Sequence, residues 1–346
     1  MLLFHSMKRL LPVFVSLLTT CTIMAQEANL NKTINTLKER INLSGYAQTG
    51  FTYDDAEGGS SSFDIKRIIF MAEGKITDKW SCYFMYNFNS GGNLLEVYTE
   101  YHFIPQLNAR LGQFKTVFSI ENPLSPSTVE LINCASQSVN YLAGINGSDP
   151  LYGSHSGRDM GLLIYGDFFN KFLHYDFSIM NGQGINVKDR NKNKDIVGNL
   201  MINPLKWLSV GSSFIKGKGN AIATSAANSD IKVGDNYTRD RWSIGAIIKT
   251  QPIDIRTEYL TGKDGKVESN GYYATACAHI LPKLDAIASY DYFNKNKDMD
   301  DNQTNYTGGL QYWFYPRCRI QAQYTHCNPR IGKNSNQLQA QLQVRF

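Results

Sequence analysis

The sequence predicts an all-β chain, a transmembrane antiparallel β-barrel of about 16 strands with one long loop folded inward as a constriction. Three observations lead there. Stretch after stretch alternates apolar and polar residues with a period of two, as a strand with one apolar and one polar face does. These stretches run about ten to twelve residues, whereas globular strands average five or six and a tilted membrane-spanning strand needs about nine to eleven. The connections alternate between tight turns and long polar loops, as they do when a barrel sorts its loops by membrane side.

Composition supports this. Charged residues are 19% of the 346, below the roughly 25% usual for soluble proteins. The 20 Tyr and 18 Phe exclude a disordered chain. Past residue 25 no apolar run approaches the roughly 20 residues of a spanning helix, which excludes a helical membrane protein. Mean hydropathy is nevertheless negative, so the polar share comes from uncharged side chains.

The chain opens with a leader. Lys8-Arg9 is basic, Leu10 to Leu18 is apolar, and Thr19 to Ala25 is small and polar. Residues 1–25 therefore read as a secretory signal peptide cut near Ala25-Gln26. Met7 is a second plausible start. Lipoprotein processing at Cys21 is disfavoured because Thr20 is larger than the residue expected there. Loss of Lys8 and Arg9 lowers the formal charge from +5 to +3. Residues 26–40 are expected to form a short periplasmic segment, with Leu30, Ile34 and Leu37 at helical spacing.

Strands are expected at 41–53, 63–76, 79–89, 93–104, 107–114, 157–168, 171–181, 194–203, 206–217, 238–250, 252–262, 268–281, 284–294, 303–315, 317–328 and 336–346. The last is the clearest: Gln337, Gln339, Gln341, Gln343 and Arg345 alternate with Leu338, Ala340, Leu342, Val344 and Phe346. Aromatics gather towards the ends of apolar faces, as at Tyr290-Tyr292, Tyr312-Phe314 and Phe346, where interfacial girdles sit. Tight connections include Thr77-Asp78, Gln251-Pro252 and Tyr315-Pro316. Longer ones include Asp54 to Ser62, Gly182 to Lys194, Gly217 to Asn236 and Gly262 to Val267. An even strand number puts both ends of the barrel on the periplasmic side of a bacterial outer membrane. A barrel of this width leaves an aqueous channel.

Residues 115–156 do not fit the strand pattern. A connection of this length is functional or disordered, and its Leu, Ile, Val and Tyr content argues against disorder. Folding inward to narrow the pore is the preferred reading; an external loop or a subunit contact is the alternative.

The basic residues on polar faces are the transport candidates. Lys115 opens the long segment, and Arg110, Arg158, Arg256, Arg317 and Arg319 fall on or near lumen-facing positions. A ring of such residues raises the local anion concentration and replaces part of an anion's hydration. Glu96, Glu100, Glu121, Asp159, Asp254 and Glu258 lie close by, so a wall-strengthening belt of ion pairs is the plainer reading of the arginines. Cys82, Cys134, Cys277, Cys318 and Cys327 are odd in number and lack C-x-x-C spacing; Cys82, Cys277 and Cys318 read as small strand residues. No hydrolase, zinc-protease or phosphate-loop motif is present, so no catalytic residue, metal or cofactor is expected. The Asp189 to Asp195 loop resembles a calcium loop only loosely, lacks its terminal Glu and reads as solvated. The expected function is a passive porin for small hydrophilic solutes, in contact with outer-membrane lipid and with no nucleic-acid partner. The alternative is a binding or structural barrel with an occluded lumen.

Three motifs occur in order: Arg110-Leu-Gly-Gln-Phe-Lys-Thr-Val-Phe-Ser-Ile-Glu121, Gly157-Arg-Asp-Met-Gly161, and Ile179-Met-Asn-Gly-Gln-Gly-Ile-Asn186 followed by Lys194-Asp195. Together they resemble the phosphate-selective porin family in its Bacteroidetes form, over most of the chain. The resemblance implies a sixteen-stranded homotrimer with an inward-folded third external loop and a phosphate or anion preference. It also matches Lys66-Arg67 to a pair of basic residues in the family. Lys stands here in place of one Arg and lacks the planar fork that grips phosphate oxygens in pairs.

Overall fold

The computed structural model describes residues 38–346 except positions 57, 90 and 148. The expected signal peptide and most of the 26–40 segment lie outside the described residues. Residues 38–40 are helical and lead into the first strand.

The sixteen strands are β1 (Ile41–Asp54), β2 (Ser60–Lys75), β3 (Trp80–Asn87), β4 (Asn93–Ile104), β5 (Leu107–Lys115), β6 (Arg158–Phe168), β7 (Leu173–Met180) and β8 (Asp195–Leu205), then β9 (Leu208–Asn220), β10 (Asn236–Lys249), β11 (Ile253–Asp264), β12 (Val267–Leu281), β13 (Leu284–Asn296), β14 (Asp301–Tyr315), β15 (Cys318–Pro329) and β16 (Ser335–Arg345). Each pairs with its sequence neighbour, and β1 pairs with β16 to close the barrel. The expected strands are all present, with ends displaced by no more than a few residues. One loop is corrected. Gly262 to Val267 is not a long connection, because Lys263 and Asp264 stay in register with Glu268 and Val267. Gly265-Lys266 makes the turn, with Gly265 at φ 60°. Polar residues continued a strand there that hydrophobicity alone had ended.

Alternation sets the two faces. On β16 Gln339, Gln341 and Gln343 are buried in the lumen while Leu338, Leu342 and Val344 are exposed on the outside. An apolar outer wall suits lipid, and closure leaves no strand edge unpaired in it. Exposed aromatics form two bands. Trp80, Phe103, Phe169, Trp207 and Tyr315 lie at one end of the barrel, while Tyr53, Phe88, Tyr272 and Tyr306 lie towards the other. The seam is tied by reciprocal backbone bonds between Gly45 and Phe346, at 3.2 and 3.0 Å. A Cβ on Gly45 would sit 2.7 Å from the Phe346 ring, so the glycine makes room for the terminal aromatic.

Residues 116–157 enter the barrel between β5 and β6 and carry one short helix, α1 (Gln137–Leu142). Ser136 caps it by accepting from Val139 N, and Val139 and Leu142 are fully buried. The helix packs against β11, β12 and β13. With Phe114, Phe118, Leu260 and Tyr273 its buried residues form an apolar core inside the barrel.

Candidate functional site: a basic cavity beside the inserted segment

The inserted segment is held to one side of the lumen. Glu258 on β11 accepts from Ser119 Oγ at 2.8 Å, Ile120 N at 3.0 Å and Tyr273 OH at 3.1 Å. Asp291 on β13 accepts from Gln137 N at 2.8 Å. The glutamines of β15 and β16 complete the anchorage: Gln321 and Gln323 both donate to Glu130 O, and Gln343 donates to Ser127 O. The polar face legible in the C-terminal strands is thus largely consumed by the segment's backbone, which a buried chain must satisfy.

The open space that the basic residues line lies mainly against β1 to β8. It is a cavity of about 810 Å³, lined among others by Arg67, Arg110, Lys115, Arg158, Glu96, Tyr83 and Tyr98. Four of the proposed cations therefore share one cavity, but their charges are not equally available. Arg158 is buried and gives two bonds to Glu96 Oε1, at 3.0 and 2.7 Å. Arg110 meets Glu100 at 2.5 Å and lies 4.2 Å over the Tyr98 ring. Arg67 donates to Gln48 Oε1, at 3.0 Å. Lys115 donates to two backbone carbonyls, Asn122 O at 2.7 Å and Leu124 O at 2.5 Å. Among the described residues, neither Arg67 nor Lys115 has a carboxylate within ion-pair distance.

Lys66 reaches its place through a bulge. Gln48 pairs with Arg67 and Thr49 with Ile65, so Lys66 is the extra residue. Phe63 and Ile65 are exposed on one side of the bulge and Ile69 and Met71 buried on the other. The insertion therefore flips the alternation, and Lys66 and Arg67 need not face opposite ways. Lys66 is half-buried and is not part of the cavity wall.

Three candidates lie elsewhere. Arg256 sits beneath the segment, paired with Glu121 at 3.1 Å and Glu130 at 2.8 Å. Arg319 is 1% exposed, donates to Val129 O and Gln311 Oε1, and stacks on Trp313. Both face the lumen, but the segment covers that half of it. Arg317 is exposed in the turn between β14 and β15 at φ 63°, away from the cavity.

The motif residues act mainly as framework. Asn122 Nδ2 donates to Thr116 O and Gly157 O, closing the neck where the segment leaves and rejoins the wall. Asp159 accepts from Met160 N and Gly182 N. Gln113 and Asn186 exchange two hydrogen bonds, at 2.7 and 3.2 Å. The sequence reading missed a second anchor on β10. Arg239 pairs with Asp195, and Arg241 with Asp264 and Asp149. No strand-period argument finds these partners, because they come from three separate loops and strands. In the 189–195 loop Asp189 pairs with Lys194, and Asp195 pairs with Arg239 outside it. Cys277, His279 and Asp285 cluster near the β12–β13 turn, but Asp285 already accepts from Gln311 and Trp313 and bonds His279.

With this geometry the comparisons with known proteins agree. Residues 40–195 match the family model described as phosphate-selective porin O and P. That match covers less than half of the chain. No curated protein matches the chain. Solved structures match its fold at low identity. The anion-selective porin from Comamonas acidovorans has a TM-score of 0.66 at 15% identity, over 88% of this chain and 99% of that one. OprB of Pseudomonas putida has a TM-score of 0.69 at 8% identity, over 92% and 97%. OmpT of Vibrio cholerae, an outer membrane protein described in a trimer form, has a TM-score of 0.65 at 10% identity, over 88% and 99%. The chain is thus an outer-membrane β-barrel porin for passive diffusion of small hydrophilic solutes, with the fold of a channel.

Proposed function

We propose that this porin favours anions, phosphate among them, and that Arg67 and Lys115 set the preference where residues 116–157 narrow the lumen. The observation that carries this is two cations in one cavity without a carboxylate partner among the described residues, while Arg110 and Arg158 are neutralised beside them. Unpaired fixed charge in a confined aqueous path raises the local concentration of the opposite ion. The family's printed description and the anion-selective neighbour from Comamonas acidovorans support the same preference. The barrel works as a passage, with no catalytic residue or cofactor, and assembles as a homotrimer like the trimer form described for OmpT.

Planar-bilayer recording tests this. The wild-type porin should give a reversal potential of anion sign in a KCl gradient, and Lys115→Glu should move it towards cations. Cation preference in the wild type would remove the proposal, and so would an unchanged potential in both Lys115→Glu and Arg67→Glu. Crosslinking in outer-membrane preparations should give trimers; monomers alone would remove that part.

A further inference from the structure

We infer that the cavity is shaped for organic anions, namely carboxylates that carry a flat apolar body, with benzoate as the simplest example. This rests on the anion reading above and names its solute class.

A wide barrel ordinarily presents a polar wall to its water-filled lumen. Here the polar wall of β15 and β16 lies under the inserted segment, and the open side is the less polar one. Tyr83 and Met85 line the cavity half-buried and are backed by the buried cluster of Tyr46, Ile69 and Leu95. Leu124 lines the cavity from the segment, and its carbonyl holds Lys115. Bare phosphate or chloride gains nothing from such a surface, because its stabilisation comes from charge and hydrogen bonds alone. An anion with an apolar part gains from both halves of the site.

The aromatic side chains give the apolar part a defined seat. Tyr83 stacks on Tyr98 at 5.0 Å with 24° between the rings, and Arg110 lies over Tyr98 at 4.2 Å. This is a stack of three planar groups whose terminal cation is tied to Glu100. Tyr83 ends the stack on the other side, and among the described residues no further ring lies against it. A flat solute laid on Tyr83 continues the stack and turns its carboxylate to Arg67 and Lys115 on the same cavity wall. Offset stacking of this kind contributes about 0.5–1.5 kcal/mol beyond area burial. The cavity also falls within the roughly 300–1,000 Å³ of small-molecule sites, so one solute fits with its water.

The test is block of the KCl current in planar bilayers by benzoate, acetate and inorganic phosphate. Benzoate should halve the current at a concentration about threefold to tenfold below acetate. Tyr83→Leu should remove that advantage, so that benzoate and acetate block at similar concentrations. A wild-type porin that conducts KCl but is blocked equally by benzoate and acetate, or better by phosphate than by benzoate, overturns this inference alone. A benzoate advantage that survives Tyr83→Leu also overturns it. No KCl current from the wild type would overturn the channel reading itself. If Tyr83→Leu does not assemble, the wild-type solute series still decides.

Discussion

Arg256 and Glu121 form an ion pair at 3.1 Å that joins the wall of the barrel to the segment inside it. Glu130 shares the same guanidinium group at 2.8 Å. Removing one member of a buried pair leaves the others uncompensated and costs about 3–5 kcal/mol. Arg256→Gln should therefore loosen the segment. The expected result is a higher and noisier single-channel conductance, with a lower unfolding temperature. Glu121→Gln added to Arg256→Gln should recover part of the loss, because it removes one of the stranded charges. A single mutant with wild-type conductance and stability would mean the pair does not hold the segment.

Arg67 and Arg319 make a contrasting pair for selectivity. Arg67 lines the open cavity, while Arg319 is buried under the segment. Arg67→Gln should move the reversal potential towards cations, and Arg319→Gln should leave it unchanged while lowering stability. The Arg67 effect should shrink between 0.1 M and 1 M KCl, because the screening length falls from about 10 Å to about 3 Å. Reversal potentials at the two salt concentrations check both statements.

This contrast marks the limit of what the sequence could reveal. Alternation identified the strands and the lumen face, because lipid outside and water inside impose opposite polarity on successive residues. Arg256 and Arg319 do face the lumen. Which half of the lumen stays open depends on where 116–157 lies, and that is fixed by contacts such as Ser119 to Glu258, 139 residues apart. The bulge at Lys66 was hidden for a related reason: it breaks the period on which the reading relied. Gly262 to Val267 was misread as a loop because polar side chains stay in register beyond the apolar part of their strands.

Gly157 should tolerate no side chain. Its φ is 67°, and an added Cβ would lie 1.9 Å from Asn122 Oδ1. Asn122 cannot withdraw without giving up its bonds to Thr116 O and Gly157 O, which close the neck of the segment. A left-handed backbone alone costs a side-chain-bearing residue roughly 1–2 kcal/mol. Gly157→Ala should lower the unfolding temperature and raise protease cleavage within 116–157 on folded barrels. Gly234→Ala, at φ 91° with open space around it, is the control that carries backbone strain without a clash.

The segment's far anchor should respond to pH. Asp149 is pushed up to about 6, first by burial and then by the Asp264 carboxylate, against the pull of Arg241 and Arg239. Arg241 lies 3.8 Å away and is closer to Asp264, at 2.7 Å. A carboxyl raised above its unfolded value of about 3.9 stabilises the fold when protonated. That contribution is complete below about pH 4 and is lost as pH rises through about 6. The Asp149 anchor should therefore be tightest in acid, with cleavage of 116–157 or open-channel noise increasing as pH rises from about 4 to about 6. Asp149→Asn is neutral at every pH and retains an oxygen to accept from Leu151 N and Tyr152 N, as Asp149 does at 3.0 and 3.3 Å. It should hold the low-pH behaviour across the range; an unchanged pH profile in this variant would place the titrating group elsewhere.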